Sequence, residues 1–382
     1  MSIAHKIFWK NIKSIKTAKD LRGKRVLLRL DLNVPMERGR IVDATRIEKS
    51  LSTIKFLRKQ RARTIIMSHL GDDSVSLKEI ARYLNKFIPV GFIPQIIGKK
   101  VEKTISTMQE GSVLVLENLR GEKGEVSNNP FFAMSLSRLG DIYVNDAFSV
   151  SHRNHASIVS LPKFLPSFTG IQFEEEIREL SRVFTPKHPF MFILGGAKLE
   201  TKLPLIKKYL KIADIVYVGG ALMNPFFNAM GYEVGKSLKE NAGEDLKKLT
   251  HHKNLILPTD VLVSKGEVRK LNGIKKNDIV RDIGPESLRT LLSLIKESKE
   301  ILFNGPLGEY ELGFDETTKE ILKAMAKTKA RTVLGGGDTL AIVSRLKLES
   351  KFSFVSTAGG AMIEFLLEGT LSGIEALKGS KK

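Results

Sequence analysis

The sequence predicts an α/β protein of two similar-sized lobes, each a mostly parallel sheet flanked by helices in three αβα layers, with a hinge helix between the lobes. Three observations carry that expectation. At 382 residues the chain exceeds what one hydrophobic core usually supports, so two domains of about 150 to 200 residues are the default. Short β-branched runs alternate with amphipathic stretches of ten or more residues, which implies parallel strands joined by right-handed crossovers. The runs end on polar and charged residues in the first half and on glycines in the second.

In the first half, strand runs are read at 25–34 (RVLLRLDLNV), 64–70 (TIIMSHL), 113–120 (VLVLENLR) and 141–148 (DIYVNDAF). The stretch from Gly170 to Pro186 places Phe173, Ile177, Leu180 and Phe184 at helical spacing and is read as the helix joining the lobes. Beyond it, runs follow at 189–196, 214–220, 255–263, 300–306, 331–337 and 352–360. Domain boundaries are expected at 1–170, 171–186 for the connecting helix, 187–365, and a tail over 366–382.

No apolar run is long enough to span a bilayer, and the N-terminal MSIAHKIFWKNIKSIK has no continuous hydrophobic region before a small-residue cleavage site, so a cytoplasmic protein is expected. With no cysteine, disulfides, thiolate metal sites and cysteine nucleophiles are excluded. The formal charge of +20 favours anionic partners without choosing among them. Much of the excess lies in helical stretches such as LIKKYLKIAD, where a solvated face is the plainer reading. Aromatics make up 7% of the chain, too few for the stacking platforms of a nucleic-acid binder. No specific nucleic-acid or membrane partner is expected, and a monomer is the default.

In open parallel sheets, ligands bind beyond the carboxyl ends of strands. At those ends in the first half, Arg46, Arg120 and Arg153, with His69 and His152, can converge on a phosphate and a carboxylate, since guanidinium forks match both anions. Asp31 and Asn33 are placed to hold a substrate hydroxyl. Singly, each arginine is more often a surface ion-pair partner. His152 with His155 lacks the further ligands a metal site needs. In the second half, GGAKLETK at 195–202, NGPLGEYE at 304–311, GGGDT at 335–339 and STAGGAMIE at 356–364 follow strand runs. No G-x-x-x-x-G-K-[ST] and no helix-opening G-x-G-x-x-G occurs, so a P-loop and a Rossmann fingerprint are absent. Glycine after a strand lets backbone N–H groups approach phosphate oxygens at the positive end of a helix. Asp338 can ligate a Mg²⁺ carried in by the nucleotide, and Lys198 is a point charge for a moving phosphoryl group.

At these residues the chain resembles the phosphoglycerate kinase family over nearly its whole length. RVLLRLDLNVP, DATRI, MSHLG, LENLRGEKGE, YVNDAF with SHRNHAS, ILGGAKLETK, GYEVGKSL, LPTDVLV, DIGPES, FNGPLGEYE, GGGDT and STAGGAMIEFL occur in the family's order. The resemblance implies reversible transfer of the acyl phosphate of 1,3-bisphosphoglycerate to MgADP, giving 3-phosphoglycerate and MgATP. It implies substrate roles for Asp31, Asn33, Arg46, His69, Arg120 and Arg153. On the nucleotide side it implicates Lys198, Lys202, Gly219, Gly220, Asn304, Glu311, Gly336, Gly337, Asp338 and Thr339, with helix N-termini after Gly337 and at Gly359 and Gly360. It also implies a C-terminal tail that returns to the N-terminal domain. Arg46 and Lys198 are expected to stabilise the transferring group, with closure of the domains. Two departures stand out: Asp72 occupies the place of the family's arginine after SHLG, and Ala221 and Ala358 replace glycines. Asp72 motivates the rival reading of a weakened relative serving as a scaffold, and the +20 charge that of a basic nucleic-acid-binding protein.

Overall fold

The computed structural model describes residues 12–239 and 243–380. Of the N-terminal stretch 1–16, read above for the absence of a leader, residues 1–11 lie outside them. The described chain divides into two compact units: one runs up to Ser181 and resumes at Glu368, the other is Arg182–Leu367.

The first unit is built on strands β1 (Arg25–Leu30), β4 (Arg63–Met67), β5 (Gly91–Phe92), β6 (Val113–Val115), β7 (Ile142–Asp146) and β8 (Ser167–Thr169), with a small hairpin of β2 (Met36–Glu37) and β3 (Arg40–Ile41). All sheet pairings are parallel, in the order β5-β6-β4-β1-β7-β8. Because β1 and β7 are covered on both faces, their residues are buried in unbroken runs rather than alternately, from Val26 to Leu30 and from Ile142 to Asp146. The helix Thr45–Lys59 buries Ile47, Leu51, Ile54 and Leu57, a single stripe at helical spacing. Its entry is fixed by the Asp43 carboxylate, which accepts the Thr45 N–H at 2.8 Å. The helix Ile171–Ser181 buries Phe173, Ile177 and Leu180, and a 3₁₀ turn, Arg182–Phe184, follows it. After Glu368 the chain adds the helix Ser372–Lys378 to the first unit, where the Gly373 N–H donates to the Ser151 carbonyl at 2.7 Å.

The second unit repeats the plan with β9 (Phe190–Leu194), β10 (Ile215–Val218), β11 (Leu255–Ile256), β15 (Glu300–Asn304), β16 (Arg331–Gly335) and β17 (Phe354–Val355), all parallel in the order β11-β10-β9-β15-β16-β17. Every residue of β9 and β15 is buried. The run 255–263 departs from its expected form as one strand. Pro258 interrupts it, and its second half, β12 (Asp260–Val263), pairs antiparallel with β13 (Val268–Lys270) and β14 (Val280–Ile283) in a separate three-stranded sheet. Asp260 then serves a different element: its carboxylate accepts the N–H groups of Glu286 at 3.1 Å and Ser287 at 2.8 Å, capping the start of the helix Pro285–Glu297.

Phe303, within β15 and fully buried, is a test of the second core. Phe303→Ala is expected to cost about 3–5 kcal/mol in denaturant unfolding, through lost burial and a residual cavity. Val268→Ala, on the edge strand β13 and half exposed, should cost under about 0.5 kcal/mol by the same measurement.

Candidate active site

In the first unit, the loops after β1, β4, β6 and β7 meet at the carboxyl edge of the sheet. Asp31, just past β1, pairs through Oδ2 with Arg46 Nη1 at 3.0 Å, accepts the Ser149 hydroxyl, and takes the Asn33 N–H at 3.1 Å through Oδ1. Arg46 Nη1 also donates to the Asn33 carbonyl at 2.9 Å, and the Asn33 side-chain oxygen accepts the Gly71 N–H at 2.8 Å. Arg120 donates to the Gly71 carbonyl. Beneath this loop the Asn118 side-chain amide lies 2.8 Å from the Leu70 carbonyl, 2.7 Å from that of Asp72 and 2.8 Å from that of Val75, which holds the segment 70–75 in place. The Arg153 guanidinium makes no hydrogen bond or ion pair among the described residues, yet its field reaches Arg29, His69 and Arg120.

His69 is buried, with Nδ1 3.3 Å from Nη2 of Arg29. Burial, and then the fields of Arg29, Arg120 and Arg153, push its pKa down to about 2. The imidazole is therefore neutral, and because Nδ1 faces a guanidinium donor, the proton belongs on Nε2. That Nε2 is buried and has no hydrogen-bond partner. An unmet donor among mutually repelling arginines is suited to an anionic, oxygen-rich ligand.

Arg29 is the functional-edge residue that the sequence reading missed. It is 1% exposed, donates to Ser157 Oγ at 3.0 Å and to the Leu30 carbonyl, and lies opposite buried Glu125, which accepts the Ser157 hydroxyl at 2.6 Å and the Ser157 N–H at 2.9 Å. Burial lowers the Arg29 pKa while Glu125 acts to raise it. A charge inside the apolar run VLLRLDL was the available signal, since a strand covered on both faces has no solvated side for it.

Asp72 does not reach into this pocket. Its carboxylate turns onto its own loop, accepting the Ser74 hydroxyl at 2.6 Å and the Ser74 N–H at 3.0 Å. Those two bonds, with help from Arg120, hold its pKa below the ordinary range.

In the second unit, the turns after β9, β10, β15 and β16 pack backbone against backbone. Gly220 has φ +62°, and a Cβ there would lie 2.6 Å from the Gly196 nitrogen. Gly336, at φ +98°, turns the chain into the helix Gly337–Leu346, where the buried Thr339 hydroxyl accepts the Gly305 N–H at 3.0 Å. Thr339 is thus engaged in fixing one turn against the next. Lys202 Nζ donates to the Gly195 carbonyl at 2.5 Å; burial lowers its pKa to about 8 while the Asp338 carboxylate opposes the shift. Lys198 is exposed at the start of the helix Leu199–Tyr209 in a left-handed conformation, φ +59°. Asn304 is buried at the end of β15, with Nδ2 3.9 Å from the Met362 sulfur. Gly359, φ +55°, precedes the helix Gly360–Glu368.

A cavity of about 580 Å³ opens at this edge and collects Gly220, Glu311 and Asp338 with Gly196 and Ala197. Gly219, Asn304, Gly336, Gly337, Thr339, Gly359 and Gly360, and the lysines 198 and 202, lie outside its lining. Its other walls, Met223, Leu238, Val280 and Tyr310, were not singled out from the sequence, because each reads locally as an ordinary core or surface residue. The Tyr310 hydroxyl donates to Asp338 Oδ1 at 3.1 Å. No group of three or more acidic or histidine side chains among the described residues could hold a metal ion alone. One exposed carboxylate at a helix start suits a hard cation that is held mainly by phosphate oxygens.

A glycine edge suited to phosphates against backbone N–H groups, in one chain with a basic pocket suited to a second anion, matches a small-molecule phosphotransferase of the two-domain α/β type. The family model for phosphoglycerate kinase matches residues 15–370. The chain is 38% identical to the phosphoglycerate kinase of Dictyoglomus turgidum over 382 aligned residues, covering 94% of this chain and 96% of that protein. It is 40% identical to that of a Wolbachia strain from Drosophila simulans, covering 96% and 99%. The solved phosphoglycerate kinase of Coxiella burnetii superposes with a TM-score of 0.84 at 35% identity, covering 96% of this chain and 98% of that one. That of Pyrococcus horikoshii gives 0.83 at 30%, with the same coverage. This chain belongs to the phosphoglycerate kinase family.

The buried neutral His69 has a measurable signature. In the unfolded chain its imidazole takes up a proton near pH 6.5, whereas in the fold it does so only near 2, so acid favours unfolding. The stability it supports is complete above pH 6.5 and is lost as pH falls below it. Against the parent chain, His69→Asn is therefore expected to gain in relative stability by up to about 1.4 kcal/mol per pH unit between pH 6 and 4, read from paired urea titrations.

Proposed function

We propose that the chain catalyses reversible transfer of the acyl phosphate of 1,3-bisphosphoglycerate to MgADP, giving 3-phosphoglycerate and MgATP, as a cytoplasmic monomer of glycolysis and gluconeogenesis. The observation that carries the triose assignment is the orphaned His69 Nε2 donor beside Arg120 and Arg153. In this reading Asp31 and Asn33 orient the substrate hydroxyl, and His69, Arg120 and Arg153 hold its anionic groups. Asp31 also anchors Arg46, leaving that guanidinium aimed by an ion pair rather than free to rotate.

Nucleotide binding falls to the glycine edge and its cavity, with Glu311 and the walls Met223, Leu238 and Tyr310 toward the nucleoside, and Lys202, Gly219, Gly220, Asn304, Gly336 and Gly337 toward the phosphates. Thr339 positions Gly305 and through it the edge itself. Asp338 would hold magnesium together with the nucleotide phosphates, and the bound ion would supply charge neutralisation there.

The attacking atom in either direction is already an oxyanion, so no general base is needed. A metaphosphate-like transition state spreads charge over three equatorial oxygens, and catalysis reduces to alignment and neutralisation. Arg46 and Lys198 are assigned that task, assisted by N–H groups at the helix starts near Gly337 and Gly360. Since the two ligands bind to different units, closure of the units belongs to the cycle.

In a coupled assay with ATP and 3-phosphoglycerate, Arg46→Ala and Lys198→Ala should each lower kcat about 10²- to 10³-fold with little change in KM. Near-normal turnover in either variant removes that residue from the mechanism, and no turnover in the parent chain sinks the substrate assignment. Asp72→Asn keeps the oxygen that caps Ser74 but removes a negative charge beside Arg120. It is expected to lower KM for 3-phosphoglycerate about two- to fivefold at low ionic strength, an effect that salt should erase.

A further inference from the structure

The opposite edge of the second sheet carries a groove of about 760 Å³ that the reaction does not use. It lies where β9, β15 and β16 begin, a full strand length, roughly 17 Å for five residues, from the glycine turns where those strands end. Six lysines line it: Lys187, Lys296, Lys299, Lys323, Lys327 and Lys329. The single carboxylate in the lining, Glu320, is taken by Lys323 at 2.7 Å. The other five ammonium groups make no ion pair among the described residues, and all five residues are exposed. Nearby Glu300 is buried and committed, accepting the Lys187 backbone N–H at 3.0 Å and pairing with Arg331.

Part of this charge has a structural reason. Lys296 and Lys327 sit in the last turns of the helices Pro285–Glu297 and Glu316–Lys327, where a cation complements the helix dipole. That reason does not extend to Lys187, Lys299 and Lys329, which lie in the turns just before β9, β15 and β16. Elsewhere in the second unit lysines find partners: Lys319 pairs with Asp315 at 2.8 Å and Lys207 with Asp245 at 2.8 Å. Five unpaired cations around one concavity repel each other, and a ligand with several negative charges relieves that repulsion all at once.

We propose that this groove is a second, non-catalytic binding site for a compact oligophosphate, a ligand with three or more closely spaced phosphate charges. Its volume falls within the roughly 300–1,000 Å³ of small-molecule sites. Lysine acts on phosphate as a point charge and needs no planar fork, and no arginine lines the groove. Nor does any aromatic residue, so the stacking that single-stranded nucleic acid requires is missing.

The test is calorimetric titration of the full chain with inorganic tripolyphosphate at about 0.15 M salt, with 3-phosphoglycerate and MgADP both saturating so that the catalytic pockets are filled without turnover. A saturable site is expected to remain, and Lys299→Gln/Lys329→Gln should weaken it tenfold or more while leaving kcat and KM unchanged. The control pair Lys55→Gln/Lys59→Gln, two exposed lysines of the first unit, should not weaken it. Absence of a residual site, or equal weakening by the control pair, overturns the proposal. So does tighter binding of a 20-base-pair DNA duplex or of anionic vesicles through the same two lysines, which would make the groove a surface for a macromolecular polyanion or a membrane. Failure of the substrate assignment has a different signature: the residual site would then respond to Arg120→Ala instead of to the groove lysines.

Discussion

Parallel strand pairing is the constraint on which both sites depend. In a parallel sheet every strand leaves at the same edge, so every loop that follows a strand must turn there, and the side chains of distant segments meet without any long loop having to reach. Residues 31, 71, 120 and 149 come together in the first unit because β1, β4, β6 and β7 are neighbours pointing the same way. In the second unit the same register sets the ends of β9, β15 and β16 side by side, close enough that Gly195 and Gly305 touch through their backbones. One edge can then carry chemistry while the other gathers whatever precedes the strands.

The two edges solve their charge problem in different ways. At the basic pocket, Arg29 is buried and Glu125 compensates it from within the core. Removing either partner would leave an uncompensated buried charge, so this pair constrains substitution more than its net contribution to stability would imply. The glycine edge instead relies on backbone donors and keeps its lysines few. Lys202, with a pKa near 8 from burial, is poised between charged and neutral forms, and any arriving phosphate would favour the charged one.

Much of this was legible because strands buried on both faces leave largely apolar runs with abrupt polar or glycine endings, and those endings line the candidate sites. Strands β5 and β8, two and three residues long, leave too short a trace to detect. The run 255–263 reads as one strand because its apolar content masks Pro258, whose missing N–H separates two sheets. Arg29 was hidden by the rule that made the strands visible: a charge in an apolar run looks like an interruption unless its buried partner, almost a hundred residues away, is known. The cavity walls Met223 and Leu238 have no local signature at all, since a pocket lining is a property of assembly. Asp72 shows the converse. Residue type alone suggests a weakened relative, but a hydrogen-bonded turn with Ser74 decides where the charge points.

The first unit is discontinuous in the chain, since the helix Ser372–Lys378 closes against Ser151 and Ile158 only after the whole second unit has intervened. During synthesis, which runs from the N-terminus, the second unit has all its residues in hand while the first still lacks its last helix. The half that emerges first from the ribosome is therefore finished only after the other, and a ribosome that stalls between Glu368 and Lys378 would leave the first unit, not the second, incomplete.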